Sequence, residues 1–280
     1  MSREGCQAVM DIQGPPHQTP VRIGTEVLWG SCVLLSGSSQ PLKERKNMEV
    51  PQLLTTKVDD ESYAGVTYHI RGELVPELAI QLDGGQTVFF EHHVALWKTG
   101  DINIGMKTGG LAGAFKRKVA GLQILLTEAK GNGQIAFSRD GAGHVVAMHM
   151  QPGEALETRE HQYLAATSNV EYSFTRVKGI GSVMFGGTGF FLDQFTCKNG
   201  PGIVWLHGYG NIVEAKLGPG EFIDIEPGGF LYKDASVNLA SNVQGVKTGL
   251  FGGSSIVWNR MTGPGRVGIQ TMYYHLPTEE

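Results

Sequence analysis

Leu217-Gly218-Pro219-Gly220-Glu221, followed by Phe222-Ile223-Asp224-Ile225-Glu226-Pro227-Gly228-Gly229-Phe230-Leu231-Tyr232, reads as a turn, a strand, a second turn and the opening of another strand. The same phrase occurs twice earlier. Met150-Gln151-Pro152-Gly153-Glu154 leads to Tyr163-Leu164-Ala165, and Leu82-Asp83-Gly84-Gly85-Gln86 leads to Ala95-Leu96-Trp97. The turn glycines Gly85, Gly153 and Gly220 recur at steps of 68 and 67 residues, and so do the leucines Leu96, Leu164 and Leu231. Further landmarks keep the rhythm: Gly121, Gly187 and Gly253, then the unit-ending glycines Gly133, Gly202 and Gly265. The spacing predicts an all-β body of three pseudo-equivalent repeats of about 67 residues, of double-stranded β-helix or β-sandwich type.

A unit of that size made of two-faced strands buries its apolar faces poorly alone, whereas three units about a pseudo-threefold axis share one core. The units fall at about 65–132, 133–201 and 202–264, and a closing strand at 265–276 pairs back onto the body. Pro before Gly at Pro152, Pro201, Pro219 and Pro264 presets a type II turn, with the glycine taking the positive φ. The one helical spacing is Leu111, Phe115 and Val119, which predicts a turn or two of helix over residues 112–119.

Composition agrees. Of 280 residues 41% are hydrophobic, enough for a core, only 18% are charged, and 40 are glycine. Low charge with abundant glycine and β-formers fits many short strands joined by tight turns. A net charge of −4 disfavours nucleic acid as a bulk electrostatic partner. Cys6, Cys32 and Cys197 have neither metal-ligand nor redox spacing, which points to a reducing compartment. Residues 1–47, with Gly14-Pro15-Pro16, Ser36-Gly37-Ser38-Ser39 and Lys43-Glu44-Arg45-Lys46, lie outside the repeat and read as a poorly ordered tail before a 48–280 domain. Their apolar run, 27–35, is too short for a bilayer span and follows a poor signal or transit sequence. Met48 is a second candidate start.

The phrases 109–121 (GGLAGAFKRKVAG), 186–192 (GGTGFFL), 200–202 (GPG) and 217–221 (LGPGE) in this order resemble the altered inheritance of mitochondria 24 family, a domain of unknown function found in bacteria and mitochondria. The resemblance spans about residues 65–276. It implies a double-stranded β-helix fold related to the tryptophan RNA-binding attenuator-like superfamily, with three repeats per chain. In eukaryotes it implies a link to mitochondrial inner-membrane organisation. It offers no catalytic residues to carry over, and residues 1–47 depart from its pattern.

Candidate chemistry is sparse. Glu91-His92-His93 could ligate a metal, but neighbours on a strand face opposite ways and the phrase sits between strands, so a structural role is expected. His144, His149, His161 and His207 read as surface or turn histidines, and Cys197 as an ordinary hairpin thiol. Gly109-Gly110 and Gly186-Gly187-Thr188-Gly189 lack the strand-then-helix setting and the Lys of a phosphate loop. Lys116-Arg117-Lys118 breaks the repeat, because 179–185 and 245–251 carry no such basic run. It is the candidate surface contact for an anionic membrane or an acidic protein face.

The sequence reading is therefore a non-enzymatic scaffold or binding module, with no cofactor or metal. It is expected to form a homo-oligomer, a trimer favoured, in the cytoplasm or, in a eukaryotic host, the mitochondrion. A metal- or small-molecule-dependent enzyme on the same fold and RNA binding by fold analogy are the alternatives.

Overall fold

A computed structural model describes residues 49–55, 57–106, 126–177, 190–245 and 255–272. The strands are β1 (Gln52–Leu53), β2 (Val58–Tyr63), β3 (Val66–Arg71), β4 (Glu77–Glu91), β5 (Ala95–Lys98), β6 (Asp101–Met106), β7 (Leu126–Phe137), β8 (Gly143–Met150), β9 (Ala155–Arg159) and β10 (Tyr163–Thr167). They continue as β11 (Val170–Val177), β12 (Phe190–Cys197), β13 (Gly202–Tyr209), β14 (Ile212–Leu217), β15 (Phe222–Ile225), β16 (Phe230–Asp234), β17 (Asn238–Gly245), β18 (Ser255–Thr262) and β19 (Gly265–Gln270). Among the described residues the only helical element is a 3₁₀ turn, Pro227–Gly229. The expected helical turns over 112–119 and the tail 1–47 lie outside the described residues.

The body is all-β and antiparallel. One sheet runs β1-β14-β19-β16-β9-β12-β11. A second runs β2-β3-β4-β10-β13-β8, and β7 joins it to β5 and β6. A third is β15-β18-β17. β7 pairs with β4 along one edge and with β5 and then β6 along the other, which curls the second sheet toward a barrel.

Pairings recur along the chain. β4, β8 and β14 pair with β7, β13 and β19. The latter three also pair with β5, β10 and β16. The pairs β6–β7, β11–β12 and β17–β18 are likewise antiparallel, and β4, β9 and β15 lie on the other edges of β7, β12 and β18.

Alternation explains the strands. In β3, Val66, Tyr68 and Ile70 face inward while Thr67 and His69 lie nearer solvent, the period-2 pattern of a half-buried strand. β13 is buried at every position. Its Trp205 sits against Tyr68, edge to face, with ring centroids 5.2 Å apart. These two anchor one apolar cluster with Phe90 and Phe137. A second cluster gathers Phe89, Tyr163, Phe195 and Leu231, and a third Phe230, Met261 and Val267.

Several expected turns are corrected. Gly84-Gly85 is no chain reversal. β4 runs straight through it and absorbs the extra residues as a register shift between Asp83 and Thr87. Gly131-Asn132-Gly133 likewise lies inside β7. Gly131 has φ +132, and a Cβ there would stand 2.0 Å from Asp101 O, so the glycine admits the neighbouring backbone rather than a bend. The Pro-Gly reading holds at Gly153 and Gly220, which have φ +93 and +78. At Pro201 the positive φ belongs to Gly200 instead, and at Pro264 the following Gly265 does take a positive φ, +141, but after a cis Gly263–Pro264 bond.

Candidate functional site

Two strand ends and three connections meet at a cavity of about 320 Å³ lined by Glu91, His93, Val94, Arg139, Asp140, His161 and Tyr209. Glu91 closes β4 directly after the buried run Val88, Phe89 and Phe90, so strand geometry carries its carboxylate inward. Arg139 follows the end of β7. Its side chain is only 9% exposed. His161 occupies the turn between β9 and β10 with φ +63, a left-handed conformation that aims its ring back over the cavity.

Glu91 joins the other two. Arg139 Nη2 donates to Glu91 Oε2 and, at 2.9 Å, to the carbonyl of Tyr163. His161 Nδ1 lies 3.2 Å from Glu91 Oε1. Burial pushes the Glu91 carboxyl up, but the His161 hydrogen bond and the Arg139 charge outweigh this and hold it below its ordinary value. The same hydrogen bond raises His161 against the opposing effect of burial.

Around this triad the polar groups are buried deeply. His207 in β13 is fully buried. Neither ring nitrogen has a hydrogen-bond partner of ordinary geometry, though the Gly141 backbone faces it. Burial, helped by the Arg139 charge, lowers its pKa to about 4 and keeps the ring neutral. Asp193 in β12 is pushed up to about 7 by burial, despite accepting a 2.7 Å bond from Tyr172 Oη. Glu160 beside His161 is also raised by burial.

Glu91 is in the site, and His93 lines it. His92 and His93 occupy the turn after β4, where strand alternation does not apply, and their rings stand edge to face at 4.9 Å. His161 is a turn histidine as expected, but it is tied to Glu91. His207 contradicts its reading as a surface or hairpin residue: it lies inside β13 with the core on both faces. His144 and His149 are both in β8. His149 stacks on Tyr63 at 4.2 Å and lies 3.0 Å from Tyr68 Oη, which donates to Glu61. Cys197 is buried, donates to Gly200 O at 3.0 Å, and is raised by burial, so it is a thiol. Lys116, Arg117 and Lys118 lie outside the described residues.

Sequence reasoning missed Arg139, Asp193 and Tyr209. Arg139 stands alone after a strand and offers no local pattern.

Chemically, both oxygens of Glu91 are committed and Arg139 is neutralised by it. The cavity can hold a small polar molecule by hydrogen bonds, but Glu91 is not a free base in it. Among the described residues no group of three or more His, Cys, Asp or Glu side chains could hold a metal. No helix among them is long and apolar enough to cross a membrane.

Comparison with known proteins bears on the whole body. The crystal structure of protein SPYM3_0169 from Streptococcus pyogenes matches with a TM-score of 0.56 at 21% identity. The match covers 74% of this chain and 94% of that one, a likeness of fold. A search of curated proteins returned no match. The family model described as mitochondrial biogenesis AIM24 matches residues 68–272, which takes in every strand from β4 to β19 and the cavity between them. The chain belongs to the AIM24 family.

Proposed function

We propose that this protein is a non-enzymatic binding or scaffold module, built over residues 48–280 from three copies of one unit, and that it self-associates through its sheet edges. The recurrence of strand pairings supports the threefold reading. Each unit contributes a hairpin (β6–β7, β11–β12, β17–β18), a strand beside it (β4, β9, β15) and a short strand (β5, β10, β16). The carrying observation is apolar exposure on edge strands: Leu96 in β5, Ile104 and Met106 in β6, and Phe222 in β15. Open edges with such residues template pairing with another chain. A threefold body favours a trimer, in the cytoplasm or, in a eukaryotic host, the mitochondrion. Light scattering at micromolar concentration is expected to give a mass above that of one 30.2 kDa chain, and a monomer alone would reject self-association.

A second reading, small-molecule binding at the Glu91 cavity, rests on the polar groups of Glu91, Arg139, Asp140 and His161 that converge on it beside Val94 and Tyr209. Metal and small-molecule analysis of purified protein separates it from a pure scaffold.

Lys116-Arg117-Lys118 supplies the third element, a contact for an anionic membrane or an acidic protein face. Three basic side chains near an anionic surface contribute about 1 kcal/mol each, small singly but multiplied in an oligomer. Changing all three to Ser is expected to abolish salt-sensitive binding to anionic liposomes while leaving the thermal midpoint unchanged. Equal binding by the triple variant at low salt would show a merely solvated face.

A further inference from the structure

In two places a short strand of one unit pairs with a strand of the unit before it. β10 lies on β4, with Ala165 opposite Phe90 and Ala166 opposite Phe89. β16 lies on β9, with Tyr232 opposite Thr158 and Lys233 opposite Glu157. Both pairs obey the same register, displaced by one unit. The third pair of this set is β5 on β15. Displacing the same register once more puts Trp97 opposite Ile225 and Lys98 opposite Asp224. Among the described residues that pairing is not made: β5 pairs with β7 alone, and β15 ends its sheet.

The side chains record the difference. Leu164 and Leu231, each in a short strand flanked on both edges, are fully buried, whereas Leu96 is 56% exposed. On the other edge Phe222 is 49% exposed. The charges match as well. Lys233 Nζ bonds Val237 O at 2.8 Å and faces Glu157 at 2.5 Å. Lys98 Nζ makes the first of these contacts, to Ile102 O at 2.8 Å, and among the described residues forms no ion pair with a carboxylate. Asp224 stands where Glu157 stands one unit earlier, and it is held meanwhile by Arg260.

We infer that β5 and β15 are the two halves of one self-association site, in which β5 of one copy adds antiparallel to β15 of a second copy of this chain. The inference rests on the threefold reading above. A second copy is the occupant because the chain's own β15 does not seat on β5, although both strands belong to the same body. Register and charge both suit this sequence: a Leu and a Trp enter apolar surroundings, and Lys98 meets Asp224. Adding a strand satisfies the free backbone groups of both edges at once.

The test uses the full chain with Cys6 and Cys32 changed to Ser. Lys98→Cys protein mixed with Asp224→Cys protein is expected to give a disulfide-linked dimer under mild oxidation, absent when either is oxidised alone. Leu96→Lys, a substitution at an exposed position, is expected to weaken association at least tenfold, since burying a leucine side chain is worth more than one decade of affinity. At a concentration where the parent is also dissociated, its thermal midpoint should not move. If the Lys98→Cys, Asp224→Cys double variant closes within one chain and the mixture does not cross-link, the seam is internal and the second-copy assignment is wrong. If the protein assembles, but neither cross-links nor responds to Leu96→Lys, self-association survives and the β5–β15 site fails. A protein that is monomeric throughout overturns both.

Discussion

Glu91→Ala is expected to lower stability by about 3 kcal/mol, the low end of what removing one partner of a buried ion pair costs. The reason is Arg139, whose guanidinium stays buried when its carboxylate goes and keeps only the Tyr163 carbonyl. For a body of this size that is a fall of roughly 6–12 °C in thermal midpoint. His161→Ala should cost far less, because the histidine side chain is 49% exposed and its pairing is screened by water. Replacing Glu91 and Arg139 together by Leu and Met should cost less than Glu91→Ala alone, since no charge is then stranded. Thermal melts of the four proteins decide it, and a Glu91→Ala midpoint within about 2 °C of the parent would sink the account.

The same pair gives a pH signature. Glu91 is held below its ordinary value of 4.5, so its contribution is present above that value and is lost as pH falls through the lower folded one. His161 is raised above its ordinary 6.5, so its contribution is present below 6.5 and is lost as pH rises through the folded value. The Glu91–His161 contact is therefore strongest between those two ordinary values. The penalty of Glu91→Ala should shrink in acid.

Much of the fold could be read from residues. The alternation of Val66, Tyr68 and Ile70 and the Pro-Gly turns at Gly153 and Gly220 follow from local pattern. What could not be read depends on distant backbone. Gly131 looks like a turn glycine until Asp101 is placed against it. Gly208 looks like the tip of a hairpin beside His207, yet a Cβ there would strike the side chains of Ile212 and Leu231, so its role is to let β14 and β16 side chains pack onto β13. The cavity is harder still. Glu91, Arg139 and His161 lie 48 and 70 residues apart in their bonded pairs, at one strand end and on two connections, and only the sheet brings them together. Glu91 drew notice for its histidine neighbours, but the residues that matter to it are elsewhere in the chain. The contrast of Leu96 with Leu164 and Leu231 lies between these cases: the sequence spaces the three leucines at steps of 68 and 67 residues, and the sheets leave Leu96 exposed while burying the other two.

Asp193→Asn is expected to stabilise the protein at neutral and alkaline pH, an unusual sign for a change at a buried, hydrogen-bonded residue. Asp193 is 2% exposed and lies among Tyr163, Tyr172 and Phe195, with the carboxylates of Glu91 and Glu160 close enough to oppose its charge. Burial pushes its pKa from 3.8 to about 7, while the Tyr172 hydrogen bond offsets only part of this. Between those values the folded state binds the proton that the unfolded state has released. The Asp193 contribution is therefore most favourable below pH 3.8, falls as pH rises toward 7, and is level above it. A shift of that size corresponds to as much as about 4 kcal/mol between the two plateaus. Asparagine keeps the acceptor for Tyr172 Oη and has no charge to bury. The variant should gain about 1–3 kcal/mol over the parent at pH 8, allowing for incomplete relief, and close to nothing at pH 4. Denaturant unfolding of both proteins from pH 4 to 8 measures the difference directly. A gap that does not open with rising pH, or a variant less stable at pH 8, would show that Asp193 is ionised and well paired in the fold.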